Sequence, residues 1–213
     1  MDVNSLVQTV AIYALPVLFA ITLHEAAHGY VARCFGDMTA HAQGRISLNP
    51  VRHIDVVGTL VVPLAILLLS GGKFLFGWAK PVPVNFSALR KPRRHMAWVA
   101  AAGPGANLAM ALVWALLLKI STALPGNAFF EAMSRAGIIV NLVFMFLNLL
   151  PILPLDGGRI LASLLPRRAA WQYARLEPWG IPLLLLLLVT NALNFVLEPL
   201  VGVSDALIRA VMF

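Results

Sequence analysis

The chain has 213 residues and a mass of 23.0 kDa, with 60% hydrophobic residues, 12% charged residues and a mean hydropathy of +0.85. A soluble domain carries about 25% charged residues, so an ordinary cytosolic globule, a disordered chain and a fibrous repeat are excluded. The formal net charge of +7 would suggest nucleic acid in a soluble protein. Here most lysines and arginines lie between apolar runs, the pattern of cytoplasmic loops that face anionic lipid head groups.

In lipid, this length accommodates about four to six spanning helices. The single cysteine, Cys34, rules out an intramolecular disulfide. The opening MDVNSLVQTV lacks a basic n-region and an A-x-A cleavage site, so the first apolar run is expected to be a retained helix. That run covers roughly 5–33. It is apolar from Val10 to Leu23, then carries His24, Glu25 and His28, and ends near Arg33 and Gly36. In the polar stretch 37–56, A-H-A-Q-G-R-I-S-L suits a strand.

Residues 57–71 are apolar, but they number only fifteen and include Pro63. This is short of the roughly 17–25 residues a span needs and predicts a re-entrant segment. Residues 72–94 hold six basic residues and no acid, and the prolines of A-K-P-V-P-V-N-F impose extended chain. A second span is predicted over 95–120, a turn over 121–127, and a third span over 132–150, broken at Pro151 and Pro154. A short helix after L-D-G-G and a basic loop with Arg167, Arg168 and Arg175 follow. A fourth span is predicted over 180–197. The tail 200–213 has Leu207, Ile208, Val211 and Met212 at helical spacing, which suits the membrane interface. The expected fold is an all-α integral membrane protein, one domain over 1–213. It has a core of transmembrane helices, a re-entrant segment near 57–71 and minor β structure in the connecting loops.

The chemistry concentrates in His24-Glu25-Ala26-Ala27-His28. Residues i and i+4 share a helix face, so both imidazoles can reach one metal ion with a carboxylate beside them, the H-E-x-x-H arrangement of zinc peptidases. Three ionisable groups within five residues of a membrane helix are costly and mark a function. A catalytic zinc site takes three protein ligands, and the candidate for the third is Asp156 in N-L-L-P-I-L-P-L-D-G-G-R-I. The alternative is an aspartate capping the short helix that follows. Glu131, Glu177 and Glu198 are the other carboxylates that could complete such a site, and none lies in a supporting motif. A zinc-binding transporter or scaffold would use the same histidines but has no need of Glu25. His53 and Asp55 read as a polar turn rather than a second metal pair.

These motifs together resemble the site-2 protease family of intramembrane zinc metallopeptidases. The resemblance rests on H-E-A-A-H at the end of a membrane helix and on N-x-x-P followed by L-D-G at Asn148, Pro151, Leu155, Asp156 and Gly157. It extends to G-P-G-A-N at 103–107 and to G-R-I-S-L-N-P-V-R-H-I-D and G-W-A-K-P-V-P-V-N, which resemble connecting segments of the compact bacterial branch. It covers most of 15–160, without the PDZ-like insert or CBS domain of larger members. It implies one zinc ion held by His24, His28 and Asp156, with Glu25 as catalytic base. It also implies a substrate-contacting or structural role for Asn107 and Asn148, transmembrane proteins or peptides as substrates, and a bacterial inner membrane. Either asparagine is equally suited to an interhelical hydrogen bond.

Topology adds an independent constraint. His24–His28 and Asp156 each follow most of a span, so they meet only if those spans run in one direction and 57–71 enters and leaves by one side. On that arrangement thirteen of the sixteen basic residues, those from Arg33 to Arg94 and from Arg159 to Arg175, lie on the metal-proximal side. Lys119, Arg135 and Arg209 lie opposite. This bias places the site towards the cytoplasm.

Overall fold

The computed structural model describes residues 3–62, 65, 79–124 and 126–212. Three helices are long and apolar enough to cross a bilayer: the Val7–Cys34 part of α1 (Val3–Cys34), α3 (Pro92–Thr122) and α4 (Ala128–Leu149). A bilayer core about 30 Å thick needs about 20 helical residues, and each of these has more. Between α1 and α3 lie α2 (Thr39–Ala42), a 3-10 turn at Pro50–His53, a π-helical turn at Val56–Val61 and a 3-10 turn at Phe86–Ala88. After α4 come α5 (Asp156–Leu164), α6 (Arg167–Ala174), α7 (Glu177–Val189) and α8 (Ala192–Met212). The protein is an all-α integral membrane protein.

α3 packs along both α1 and α4, and α1 also packs on α4, so the three spans form one bundle with α8 against α4 and α3. Its core is Trp114, Leu118, Ile138, Leu142 and Met145 with Val201 and Ile208 of α8. Gly137 makes the close α3–α4 approach possible, because a Cβ there would lie only 2.2 Å from the Trp114 ring. Leu112, Val113, Leu116, Leu117 and Ile120 of α3 face outward, as expected where the solvent is hydrocarbon.

α1 ends in a Schellman motif. Gly36 adopts φ 107°, its N–H donates to Arg33 O at 3.1 Å, and Asp37 N–H donates to Ala32 O at 3.0 Å. Arg90 completes the cap: its guanidinium donates to Cys34 O at 2.7 Å and its backbone N–H to Phe35 O at 3.0 Å. The chain therefore leaves the bundle at Cys34 and returns to the same end at Arg90. Asp37 is 1% exposed. It accepts from the Thr39 N–H at 2.9 Å, the Thr39 hydroxyl at 2.5 Å and the Asn85 N–H at 2.7 Å. Burial pushes its carboxyl up, and these three donors outweigh that and hold it below the ordinary carboxylate range.

Several sequence expectations change. No described residue lies in a strand. Residues 39–42 are helical, and 45–47 and 79–85 have no regular secondary structure. Pro81 and Pro83 have no N–H to give, and the amide between them, Val82 N–H, goes to Glu25. The expected basic loop at 167–175 is mostly helix α6. The expected fourth span over 180–197 is broken: α7 and α8 meet at 81°. At the break Thr190 back-bonds to Leu186 O, and Asn191 takes φ 57°. The expected interfacial tail is part of α8, which runs unbroken from Ala192. Most of the expected re-entrant segment, 63–64 and 66–71, lies outside the described residues.

Candidate metal centre

His24 and His28 occupy successive turns of α1, and Asp156 is the first residue of α5, just after the Pro-rich break that ends α4. Its side chain does not cap that helix, whose cap position is Leu155. His24 Nε2 and His28 Nε2 lie 3.0 Å apart, and Asp156 Oδ2 lies 3.2 and 3.3 Å from them. His24 and Asp156 are buried, at 6% and 8% exposure. Among the described residues this is the one group of three metal-ligating side chains that converges. His53 is buried too, but its Nε2–H donates to Ser47 O at 2.9 Å, and Asp55 caps the π-helical turn by accepting from the Gly58 N–H.

Each ring's other nitrogen fixes its tautomer. His28 Nδ1 lies 2.7 Å from Val99 O, and a carbonyl accepts only, so the proton sits on Nδ1. His24 Nδ1 lies 2.6 Å from Asn107 Oδ1. Asn107 is fully buried, and its amide nitrogen donates to Ala20 O at 3.2 Å and to Asn141 Oδ1 at 3.1 Å. Its oxygen therefore faces His24 as an acceptor, and His24 also carries its proton on Nδ1. Both neutral imidazoles then turn Nε2 lone pairs toward each other and toward Asp156 Oδ2, a buried oxygen with no hydrogen-bond donor. A bound cation would reconcile three such acceptors.

The donor set fits zinc, with two imidazole nitrogens and one carboxylate oxygen. Tetrahedral donors about 2.0 Å from an ion sit about 3.3 Å apart, close to the three separations seen here. Gly103 of α3 faces this space. A Cβ there would lie 2.5 Å from His24 Cε1 and from His28 Nε2. Glu25, half-buried between the two histidines in sequence, accepts at Oε2 from the Val82 N–H at 2.7 Å.

A model of peptidase family M50 matches residues 127–190. Over 203 residues the chain is 38% identical to YwhC of Bacillus subtilis (strain 168), covering 92% of this chain and 88% of that one. The chain belongs to peptidase family M50. This M50 member is also 32% identical over 180 residues to Rip2 of Mycolicibacterium smegmatis (strain ATCC 700084 / mc(2)155), covering 83% of this chain and 66% of Rip2. YwhC and Rip2 are both named for a proposed zinc metalloprotease activity. No solved structure matches. The family and the donor set agree on a zinc metalloprotease in a membrane.

Of the M50 member's remaining site candidates, Asn148 is half-buried on the last turn of α4 and donates to Phe144 O at 3.0 Å. The amide of Asn107 is committed to His24, Ala20 and Asn141. Sequence reasoning missed Asn141, Val99 O, the Val82 N–H and the space Gly103 leaves. Asn141 alone carried a signal, as a strongly polar side chain inside an apolar span. Beside the Glu25 turn, a cavity of about 510 Å³ opens between α1 and α3. Ala26, Ala27, Ala106 and Ala109 are among its lining residues, with Ile46 and Ser47 from the segment after α2.

Proposed function

We propose that this protein hydrolyses peptide bonds within or near the transmembrane segments of other membrane proteins, with His24, His28 and Asp156 holding one zinc ion and Glu25 as general base. The observation that carries the reading is the convergence of two imidazole nitrogens and one carboxylate oxygen beside a glutamate on the histidines' own helix. When bound, zinc supplies Lewis-acid chemistry, acidifying water towards neutral pH and polarising a carbonyl oxygen. The Val82 N–H fixes one carboxylate oxygen of Glu25 and leaves the other to take a proton from the attacking water and return it to the departing amine. Transport or scaffolding gives that carboxylate no task.

A substrate helix must unwind to expose a carbonyl, at several kcal/mol for each backbone group left unpaired in lipid. The apolar cavity between α1 and α3 suits such a segment: its alanines admit a close backbone, and the backbone of Ile46 and Ser47 in its lining could offer a pairing edge. Asn107 serves this site by orienting His24, and Asn148 lies close enough in sequence to Asp156 to meet the unwound chain. The thirteen-to-three distribution of basic residues supports a site open to the cytoplasm of a bacterial inner membrane.

The test is Glu25→Gln in proteoliposomes with a labelled apolar transmembrane peptide carrying a central helix-breaking pair. Cleavage is expected to fall by about 100-fold or more while zinc content stays at the wild-type level. Cleavage at the wild-type rate removes Glu25 as the base.

A further inference from the structure

The buried amide of Asn141 stands two hydrogen bonds away from the His24 ring, yet it bears on what that ring presents. We propose that Asn141 is a positioning residue for the metal centre, setting through Asn107 which nitrogen of His24 keeps the lone pair. The proposal rests on the metal-holding role given above to His24. Asn141 is fully buried on α4, and its amide nitrogen donates to Gly137 O at 2.8 Å. Because that carbonyl can only accept, Asn141 Oδ1 must point the other way, and there it accepts from Asn107 Nδ2 at 3.1 Å. Asn107 is held with its nitrogen toward Ala20 O and Asn141, and its oxygen toward His24 Nδ1.

Hydrogen-bond direction thus passes from a backbone carbonyl of α4 through two side-chain amides to an imidazole of α1. Without Asn141 Oδ1, Asn107 keeps a single acceptor, Ala20 O at 3.2 Å. The two ends of an amide have nearly the same shape, so Asn107 can then reverse. A reversed amide turns a donor toward His24 Nδ1. His24 answers by moving its proton to Nε2, and the ligand atom loses its lone pair. His28, anchored on Val99 O, is untouched, so the effect is specific to one ligand.

The test measures zinc affinity by chelator competition on purified protein in detergent. Asn141→Leu removes both polar functions at similar volume and is expected to weaken zinc by about 10–100-fold, the usual effect of losing a partner of a metal-ligating histidine. Asn141→Asp restores the polarity in its protonated form, donating to Gly137 O and accepting from Asn107, and is expected to stay within about threefold of wild type. His24→Ala is the control. If it keeps wild-type zinc affinity, the metal reading itself fails. If it loses zinc while a folded Asn141→Leu binds normally, the positioning role alone fails. A second readout covers a leucine variant that does not fold: nitrogen-15 imidazole shifts of the zinc-free wild type and of Asn141→Ser. The wild type should show His24 protonated at Nδ1, and the serine variant a mixture of both tautomers. An unchanged Nδ1 tautomer in the variant overturns the proposal.

Discussion

Gly103 shows how much of this centre is made by an absent side chain. Its missing Cβ is the space that two imidazole edges occupy, with His24 Cε1 and His28 Nε2 each 2.5 Å from where that carbon would be. Gly103→Ala is therefore expected to force the rings apart and cut the zinc content of purified protein by at least about tenfold. Gly105→Ala, two residues on and with nothing within 4 Å of its Cβ, should leave zinc content unchanged. Equal zinc in the two variants, measured by atomic emission, would show that the rings do not depend on that gap. At this scale the sequence was informative wherever a side chain carries its own signature. His24 and His28 stand out by spacing, and Asp156 by sitting after a Pro-broken span. Asp156 was ambiguous locally, because an aspartate before two glycines reads equally well as a helix cap, and only its approach to His24 and His28 separates the two roles. Val99 O and the Val82 N–H were illegible, since every residue but proline has the same backbone groups. The reversed amide that Asn141 prevents would set like groups face to face at about 1–3 kcal/mol. An average hydrogen bond between membrane helices is worth only about 0.6 kcal/mol, so the network matters for orientation more than for stability.

At the scale of elements, the loop between α1 and α3 is tied down by one carboxylate. Asp37 holds α2 through Thr39 and the 79–85 segment through Asn85. Its carboxyl is held below the ordinary range by these donors. The stability it contributes is thus present above the unfolded aspartate pKa of about 3.9, and it is lost as pH falls through the lower folded value. Asp37→Asn should lower the melting temperature at neutral pH by the equivalent of about 1–3 kcal/mol, and the difference from wild type should shrink on acidification below about pH 4. A difference that stays constant from neutral pH down to about pH 2 would separate the loop's anchoring from the charge on Asp37. Long elements were legible from apolar run length. Predicted spans at 5–33, 95–120 and 132–150 correspond to α1, α3 and α4 within a few residues. The strand expected at 40–48 was not realised, because its first residues close the short helix α2 and its last ones have no ladder partner. The nearby extended segment has two prolines, and its amide between them is spent on Glu25. The bend after Val189 was hidden because a run of leucines carries no mark of where a helix turns away from its axis.

At the scale of the whole molecule, contacts of the chain decide its threading. Cys34 and Arg90 meet at one end of the bundle, and Asp156, after α4, meets the second half of α1. α1 and α4 therefore run in the same direction, with α3 returning between them, the arrangement a shared metal site requires. Cys34 reports which compartment that end faces, being exposed and the single cysteine of the chain. A membrane-impermeant maleimide is expected to label it in inverted inner-membrane vesicles and not in intact spheroplasts, and the opposite pattern would place the centre on the outer face. The donors of this centre come from chain segments more than 120 residues apart, since His28 and Asp156 belong to different parts of the fold. An ion seated there is consequently a clasp as well as a reagent. By thermodynamic linkage, the free energy that binds it to the native bundle and not to the loose chain is added to the cohesion of the bundle. A chelator acting on this protein thus removes a tertiary fastening together with a cofactor.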